Sequence, residues 1–295
     1  MLSSANIDIS VIIPHKNHLH TLPRLIKSIP QSDRVEIIVV DNQEIPITKN
    51  DLAKQGIPDT VSLYHADATR FAGGACNEGI EHAHGKWLLF AGADDFFTED
   101  AFNFYLSKVN SNADIIHTCM SGWNDSTNEY DARGEIYTKM VREYISSRNN
   151  ANRKWDYYEK QIRFMFHSNC CKLIKREFIE DYHLRFSEVR ASNDALFSVM
   201  AGFYAEMIEA HDIVTYVATI SGNNISRKCD FDSVKSRYLE DLKINKFLRA
   251  KKQWRWQIPI LDTIKQYGWR KRLKLLRLAL KYRQPLLVDF YTYSN

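Results

Sequence analysis

A chain of 295 residues, 44% of them hydrophobic, is long enough to bury one large core, or one core with an appended piece. Its net charge of +4 is too small to argue for nucleic acid as a partner, and its five cysteines are odd in number and scattered, with no C-x-x-C spacing. A disulfide framework or zinc site is therefore not expected, and a reducing compartment fits.

Residues 7–13 read as a buried strand closed by Pro14, and a polar loop runs from His15 to His20. Leu19, Leu22, Leu25, Ile26 and Ile29 then recur at helical spacing. Residues 35–40 form a second predicted strand, ending at Asp41-Asn42, and 61–66 a short third. Residues 74–84 predict a helix with Gly85 as its C-cap. The apolar run Trp87-Leu88-Leu89-Phe90-Ala91 has the length and bulk of a buried strand, and it stops at two adjacent carboxylates, Asp94 and Asp95. A helix over 101–109 and a fifth strand over 114–120 follow. The pattern decays into polar residues with scattered aromatics over 121–158, which suits a loop insertion or an excursion over the sheet. Order returns at 164–179. Ser192-Asn193-Asp194 precedes an apolar-rich helix at 195–210, and 213–220 resembles a late strand. From Phe231 onward the chain reads as helical and increasingly basic. Alternating strands and helices predict an α/β fold with a mostly parallel sheet flanked by helices. Residues 1–10 lack a basic segment leading into an apolar core, and no apolar run approaches the roughly 20 residues that span a bilayer. The expectation is a cytoplasmic protein, soluble or peripheral, without a signal peptide.

Polar groups stand at three strand ends, and in a parallel sheet these ends share the edge where ligands bind. Pro14, His15 and Asn17 follow the first strand, Asp41 ends the second, and Asp94 and Asp95 end the fourth. Two adjacent hard oxygen ligands suit Mg²⁺ or Mn²⁺ shared with phosphate oxygens. The plainer alternatives are that Asp94 and Asp95 cap the next helix and that Asp41 is a turn aspartate. Neither G-x-G-x-x-G nor G-x-x-x-x-G-K-[ST] occurs. The nearest glycine-rich segment is Arg70-Phe71-Ala72-Gly73-Gly74-Ala75-Cys76-Asn77. Its paired glycines suit close backbone approach to a ligand, or simply a turn into the helix.

The order of these pieces resembles the family 2 glycosyltransferases, which have a GT-A fold. Pro14 with Asn17, then Asp41, then Gly73, Gly74 and Asn77 match the family's successive segments. Ala83-His84-Gly85-Lys86-Trp87-Leu88 followed by Gly92-Ala93-Asp94-Asp95 matches its metal-motif region. The resemblance covers roughly residues 7–230 and implies a nucleotide-diphosphate sugar donor, usually a uridine one. By matched position, Asp41 accepts a hydrogen bond from uracil, Pro14 and His15 border the base, and Arg70 reaches the base or phosphates. Asp94 and Asp95 then hold Mn²⁺ or Mg²⁺ and the ribose–diphosphate end. Gly92 departs from the pattern, standing where many members carry the motif's first aspartate. The family's downstream [ED]-D or N-D pair at a helix start is matched by Asn193-Asp194, which implies Asp194 as general base and inversion at the anomeric carbon. Helix capping is the competing role for Asp194. Asn224, Ser226, Arg227 and Lys228 stand where relatives place a loop over the diphosphate; a solvated loop is the alternative. The family also implies a saccharide or lipid-linked saccharide acceptor, in bacterial O-antigen, capsule or lipopolysaccharide assembly. The catalytic unit is expected over 1–230, with the donor half over about 1–120, the acceptor half over about 121–230 and a helical extension over 231–295. Two other readings stay open: a sugar-1-phosphate nucleotidyltransferase, although 15–18 contain no glycine, and a non-catalytic sugar-binding module.

The remaining groups are less specific. His167 suits a satisfied structural histidine or an acceptor contact. His15, His18 and His20 lack zinc-ligand spacing. Trp123, Trp155, Tyr157 and Tyr158 suit a sugar-stacking wall or core. In the tail, Trp269, Leu273, Leu276 and Leu280 line one helical stripe and Arg270, Lys274, Arg277 and Lys281 an adjacent one. With the cations and tryptophans of 251–256, this suits either an anionic membrane surface, on the inner face of the cytoplasmic membrane, or packing against protein.

Overall fold

In the computed structural model, which describes residues 7–149, 154–220 and 230–285, strand β1 (Ile9–His15) lies between two parallel neighbours. Helix α1 (Leu22–Lys27) follows it, then β2 (Val35–Asp41), α2 (Lys49–Lys54), β3 (Ser62–His65), α3 (Phe71–His82) and β4 (Trp87–Phe90). The order β3-β2-β1-β4 is parallel throughout. Ile9, Val11, Ile12 and Ile13 are fully buried, as is almost all of β2 and β4. Continuous β-branched and aromatic runs of this kind belong to strands covered on both faces by helices. The expected α/β class and the parallel half of the sheet are both present.

The second half of the sheet is mixed. Its elements are β5 (Phe96–Phe97), α4 (Ala101–Ser107), β6 (Ile115–Asn124), β7 (Glu129–Asp131), α5 (Glu135–Asn149), α6 (Trp155–Met165), β8 (Lys172–Lys175), α7 (Arg176–Asp181), α8 (Ala195–Tyr204) and β9 (Ile208–Ile220). Among the described residues, nine strands form one sheet in the order β3-β2-β1-β4-β8-β6-β9-β5, with β7 paired to β6. Strand β8 is antiparallel to both β4 and β6, and β9 is parallel to β6.

In the stretch without a readable period, 121–158, the described residues 121–149 and 154–158 belong largely to regular elements. Strand β6 continues to Asn124 and turns into the β6–β7 hairpin. Helix α5 then packs on β6 and β9 of the sheet, and α6 packs against α5 and α8. Helix α5 buries Met140, Val141 and Tyr144 along with the polar Thr138 and Ser147, yet leaves Ile136 exposed. Polar residues inside and an apolar residue outside blur the helical period. The helix predicted over 195–210 ends at Tyr204, where the Arg163 guanidinium takes up the carbonyls of Gly202 and Ala205. Residues 208–212 therefore start β9.

The C-terminal part contains α9 (Phe231–Ala250), α10 (Leu261–Lys265) and α11 (Trp269–Lys281). Ile244 and Leu248 of α9 share an apolar cluster with Phe164, Ala195 and Val199 of α6 and α8. Tyr238 and Leu242 share another with Ile260, Ile264, Leu275 and Ala279. Among the described residues no helix is long and apolar enough to cross a membrane.

Candidate active site

Register brings the strand ends together. His15 lies opposite Asp41 in the β1–β2 pairing, and Ile12 lies opposite Phe90 in the β1–β4 pairing. The chain leaving β4 thus emerges beside the end of β1. It turns at once, with the Asp95 N–H bonding to the Gly92 carbonyl. Three side chains from two other elements fix this turn. The Thr21 hydroxyl, before α1, donates to the Ala93 carbonyl. Arg24 donates to the Asp94 carbonyl and, through two nitrogens, to the carboxylate of Asp125. Thr219 of β9 also donates to the Asp94 carbonyl.

The two carboxylates of the turn differ. Asp94 is partly exposed, whereas Asp95 is 6% exposed. The Tyr216 hydroxyl donates to Asp95 Oδ2 at 2.6 Å and the Thr219 N–H to Oδ1 at 2.7 Å. The same Tyr216 oxygen accepts the Gly92 N–H at 2.8 Å. Burial, and next the charge of Asp94, push the Asp95 carboxyl up to about 7 against these hydrogen bonds. Gly92 also has a steric reason. A Cβ there would lie 2.8 Å from Asp95 Oδ2 and 3.1 Å from Asp94 Oδ1. The space that a side chain would take is filled by the two carboxylates.

These residues fit a divalent ion brought by a diphosphate. Among the described residues no group of three or more His, Cys, Asp or Glu is placed to hold a metal alone. Mg²⁺ sites that use substrate phosphates need only one or two protein carboxylates. An aspartate pair in which one member raises the other's affinity for a proton is also a pair that favours a cation. His18 joins this corner from the 15–20 loop. Burial lowers its pKa, while the charge of Asp94 works in the opposite direction.

Asp41 is fully engaged by protein. Its Oδ1 lies 2.9 Å from His15 Nδ1, both side chains being fully buried, and its Oδ2 accepts the Ile47 N–H at 3.0 Å. Deleting the carboxylate strands two buried partners. Asp41→Ala is therefore expected to lower the unfolding free energy by about 1–3 kcal/mol, read from urea denaturation. An unchanged midpoint would show that the carboxylate has no structural role. Pro14 lies within β1, and Asn17, in a left-handed conformation, bonds through its N–H to Gln43.

The segment from 168 to 172 provides the link to Asp194. Strand β8 is antiparallel to β4, with Leu88 opposite Ile174. The residues leading into β8 therefore run beside the end of β4. Cys170 is raised to about 12, first by burial and next by the charge of Asp95, with Asp194 contributing further. It thus lies within electrostatic reach of both carboxylate positions. Asp194 is the N-cap residue of α8 by position, yet its side chain makes no capping hydrogen bond. Burial raises its pKa, opposed in part by the cation of Lys172. Lys172 is 3% exposed, donates to the Phe166 carbonyl at 2.6 Å, and is itself pushed down to about 7 by burial.

The other predicted residues are placed as follows. Gly73 lets α3 meet the 187–193 segment, because a Cβ there would lie 2.0 Å from the Ser187 carbonyl oxygen. Asn77 exchanges two hydrogen bonds with the Phe186 backbone. Arg70 bonds to Glu188 and pairs more distantly with Glu78, at the edge of a cavity of about 370 Å³. These three residues tie α3 to the 186–194 segment rather than standing at the Asp94–Asp95 turn. His167 bonds to the Phe164 carbonyl and is lowered to about 4 by burial. Trp155 packs against Tyr144 and Tyr157 against Trp256. Arg227, with Asn224, Ser226 and Lys228, lies outside the described residues. Sequence reasoning passed over Arg24, Tyr216, Thr219 and Lys172. The only signal for these was position: Arg24 in the first helix after β1, Lys172 entering β8, Tyr216 and Thr219 on β9.

Comparisons with known proteins identify the family and the fold. The model for glycosyl transferase family 2 matches residues 10–183. The chain is 25% identical over 241 residues to the succinoglycan biosynthesis protein ExoO of Rhizobium meliloti (strain 1021), covering 79% of this chain and 67% of that protein. Among solved structures it is similar to S. aureus TarS 1–349 in complex with UDP-GlcNAc, with a TM-score of 0.65, 15% identity, and coverage of 94% of this chain and 80% of that one. It is also similar to the mannosyltransferase PcManGT of Pyrobaculum calidifontis in complex with GDP-Man and Mn²⁺, with a TM-score of 0.52, 14% identity, and coverage of 94% and 76%.

Proposed function

Because the chain belongs to glycosyltransferase family 2, we propose that it transfers a sugar, with inversion, from a UDP-sugar to a hydroxyl of a saccharide or lipid-linked saccharide acceptor. The setting is surface polysaccharide assembly, a reading supported by the similarity to a succinoglycan biosynthesis protein. The UDP preference is supported by the similarity to a transferase solved with UDP-GlcNAc. Residues 1–230 form the transferase unit, and 231–295 an extension with its own apolar cluster over α9–α11.

The observation that carries the mechanism is Asp194. It is a carboxylate at a helix N-terminus that makes no cap, and its charge, like that of Asp95, raises the pKa of Cys170. In the reaction, Asp194 takes the proton of the acceptor hydroxyl as that oxygen bonds to the anomeric carbon. The bond from the anomeric carbon to the diphosphate oxygen breaks, and its electron pair leaves with the diphosphate. A divalent ion held by Asp94 with Asp95 would supply charge neutralisation at the leaving group. Arg24, Thr219 and Tyr216 hold the turn that presents those carboxylates. Their bonds are already formed, so little reorganisation is left to the reaction.

The test is a panel of UDP-, GDP- and dTDP-sugars read by thermal shift in Mn²⁺, followed by NMR of the product anomer. A donor at 100 times its Kd stabilises the native state by about 2.7 kcal/mol. UDP-sugars are expected to raise the melting temperature most, and the product to carry the anomeric configuration opposite to the donor's. A shift with GDP-sugars alone would overturn the donor assignment, and a retained configuration the single displacement.

A further inference from the structure

Helix α11 presents two opposite solutions to the problem of its leucines. Leu275 and Ala279 are fully buried in the cluster with Tyr238 and Leu242 of α9, and Leu276, Leu278 and Tyr282 pack around them. The face that closes the fold is therefore complete without the helix's other large apolar residues. Those stay in water: Trp269 is 72% exposed, Leu273 42% and Leu280 70%. At about 100° per residue these three fall within about 40° of one another. The next arc of the helix holds Arg277, Arg270, Lys281 and Lys274, all exposed. No acidic residue occurs in the helix. Lys271 and Arg272 lie elsewhere, the first over the rings of Phe231 and Tyr267, the second bonded to the carbonyls of Lys265 and Tyr267.

We propose that this face of α11 docks on an anionic lipid bilayer, with Trp269, Leu273 and Leu280 inserted at the headgroup boundary and the adjoining cations on the lipid phosphates. Charge complementarity selects the occupant. An exposed apolar stripe bordered by a row of cations matches a surface that is apolar below and negative above. A second copy of the chain is the poorer match. Two-fold pairing over so narrow a stripe would bring the two cation rows together, and three side chains fall short of the roughly 1,200 Å² that stable interfaces bury. The upstream tryptophans and lysines do not extend the surface as a unit. Trp256 packs with Phe164 and Tyr157, and Lys251 sits over the rings of Phe203, Tyr204 and Phe247. The docking surface is α11. It does not depend on the transferase reading, and its test needs no turnover.

The experiment is co-sedimentation of the full chain with phosphatidylcholine vesicles, with and without phosphatidylglycerol, at low and high salt. Two variants accompany it, W269A/L273S/L280S and R270Q/K274Q/R277Q/K281Q. Both sets of side chains are exposed, so unchanged melting temperatures are expected of each. The wild type should sediment with the anionic vesicles at low salt and be released by high salt. Each neutralised cation should weaken the partition roughly fivefold, and the apolar triple variant should lose it as well. Failure of the wild type to bind anionic vesicles at low salt would overturn the proposal. So would equal binding to pure phosphatidylcholine, or binding that both variants keep. Concentration-dependent dimerisation abolished by the apolar variant would assign the face to a second copy instead.

Discussion

Replacing Asp194 with asparagine is expected to lower transfer by about 10²- to 10⁴-fold, the range that a positioned general base supplies, with donor affinity unchanged. The structural cost of the change needs its own readout, because the Asp194 carboxylate also meets the Lys172 cation and the Asn169 backbone. Asparagine is as good an N-cap as aspartate, and the Asp194 side chain makes no capping bond to lose. A melting curve then reads any loss of stability, and activity is compared at a temperature where both proteins are folded. The pH profile adds a second readout. Burial raises the Asp194 pKa, and the base works only when deprotonated. Activity should therefore climb with pH through a limb lying above the ordinary aspartate value of about 3.9, then level off. That limb should vanish in Asp194→Asn. It should move upward in Lys172→Met, because the Lys172 cation favours the charged carboxylate. An asparagine variant with wild-type kcat would remove Asp194 from the reaction.

The parallel half of the sheet was legible because its signals are local. Unbroken apolar runs mark strands covered on both faces, and the carboxylates that close them mark the ligand edge. Residues 35–40 and 87–91 needed no more than that. A short helix was passed over even there, although Thr48 and Asp51 form a capping box that begins α2. Residues 121–158 gave no period, because α5 buries Thr138 and Ser147 and exposes Ile136. Strand β5, two residues long, exists only through its pairing with β9. The site divides in the same way. Asp94, Asp95 and Asp194 stand at element boundaries and could be named. What fixes the aspartate turn comes from two distant segments, Thr21 and Arg24 at the start of α1 and Tyr216 and Thr219 on β9. A cation on a short helix and a tyrosine in a strand carry no mark of that work in one sequence. Gly92 shows the opposite limit. It read as a missing carboxylate, and packing gives it a positive reason, since the space beside it belongs to Asp94 and Asp95.

Asp94→Ala is expected to abolish the part of donor affinity that depends on Mn²⁺, at least tenfold or about 1.4 kcal/mol, while the protein stays folded. The turn survives because Arg24 and Thr219 bond to the Asp94 backbone carbonyl, which alanine retains. Asp95 needs a different substitution. Its oxygens accept from Tyr216 and Thr219 in a buried setting, so alanine would leave two donors unpaired and cost about 1–3 kcal/mol for each. Asp95→Asn keeps one acceptor and the volume, which makes it the fairer test of charge. Calorimetry with a UDP-sugar in Mn²⁺ and in EDTA provides the readout for both. Wild type should bind more tightly with Mn²⁺, Asp94→Ala should bind equally weakly in both, and Asp95→Asn should fall between. Removing Asp94 also removes the second-largest cause of the raised Asp95 pKa. Burial, the largest cause, remains, so Asp95 stays raised in Asp94→Ala, by less than in the wild type. Wild-type affinity that is identical in Mn²⁺ and EDTA would leave these carboxylates without a metal role. An Asp94→Ala variant that still gained affinity with Mn²⁺ would move the ligand elsewhere.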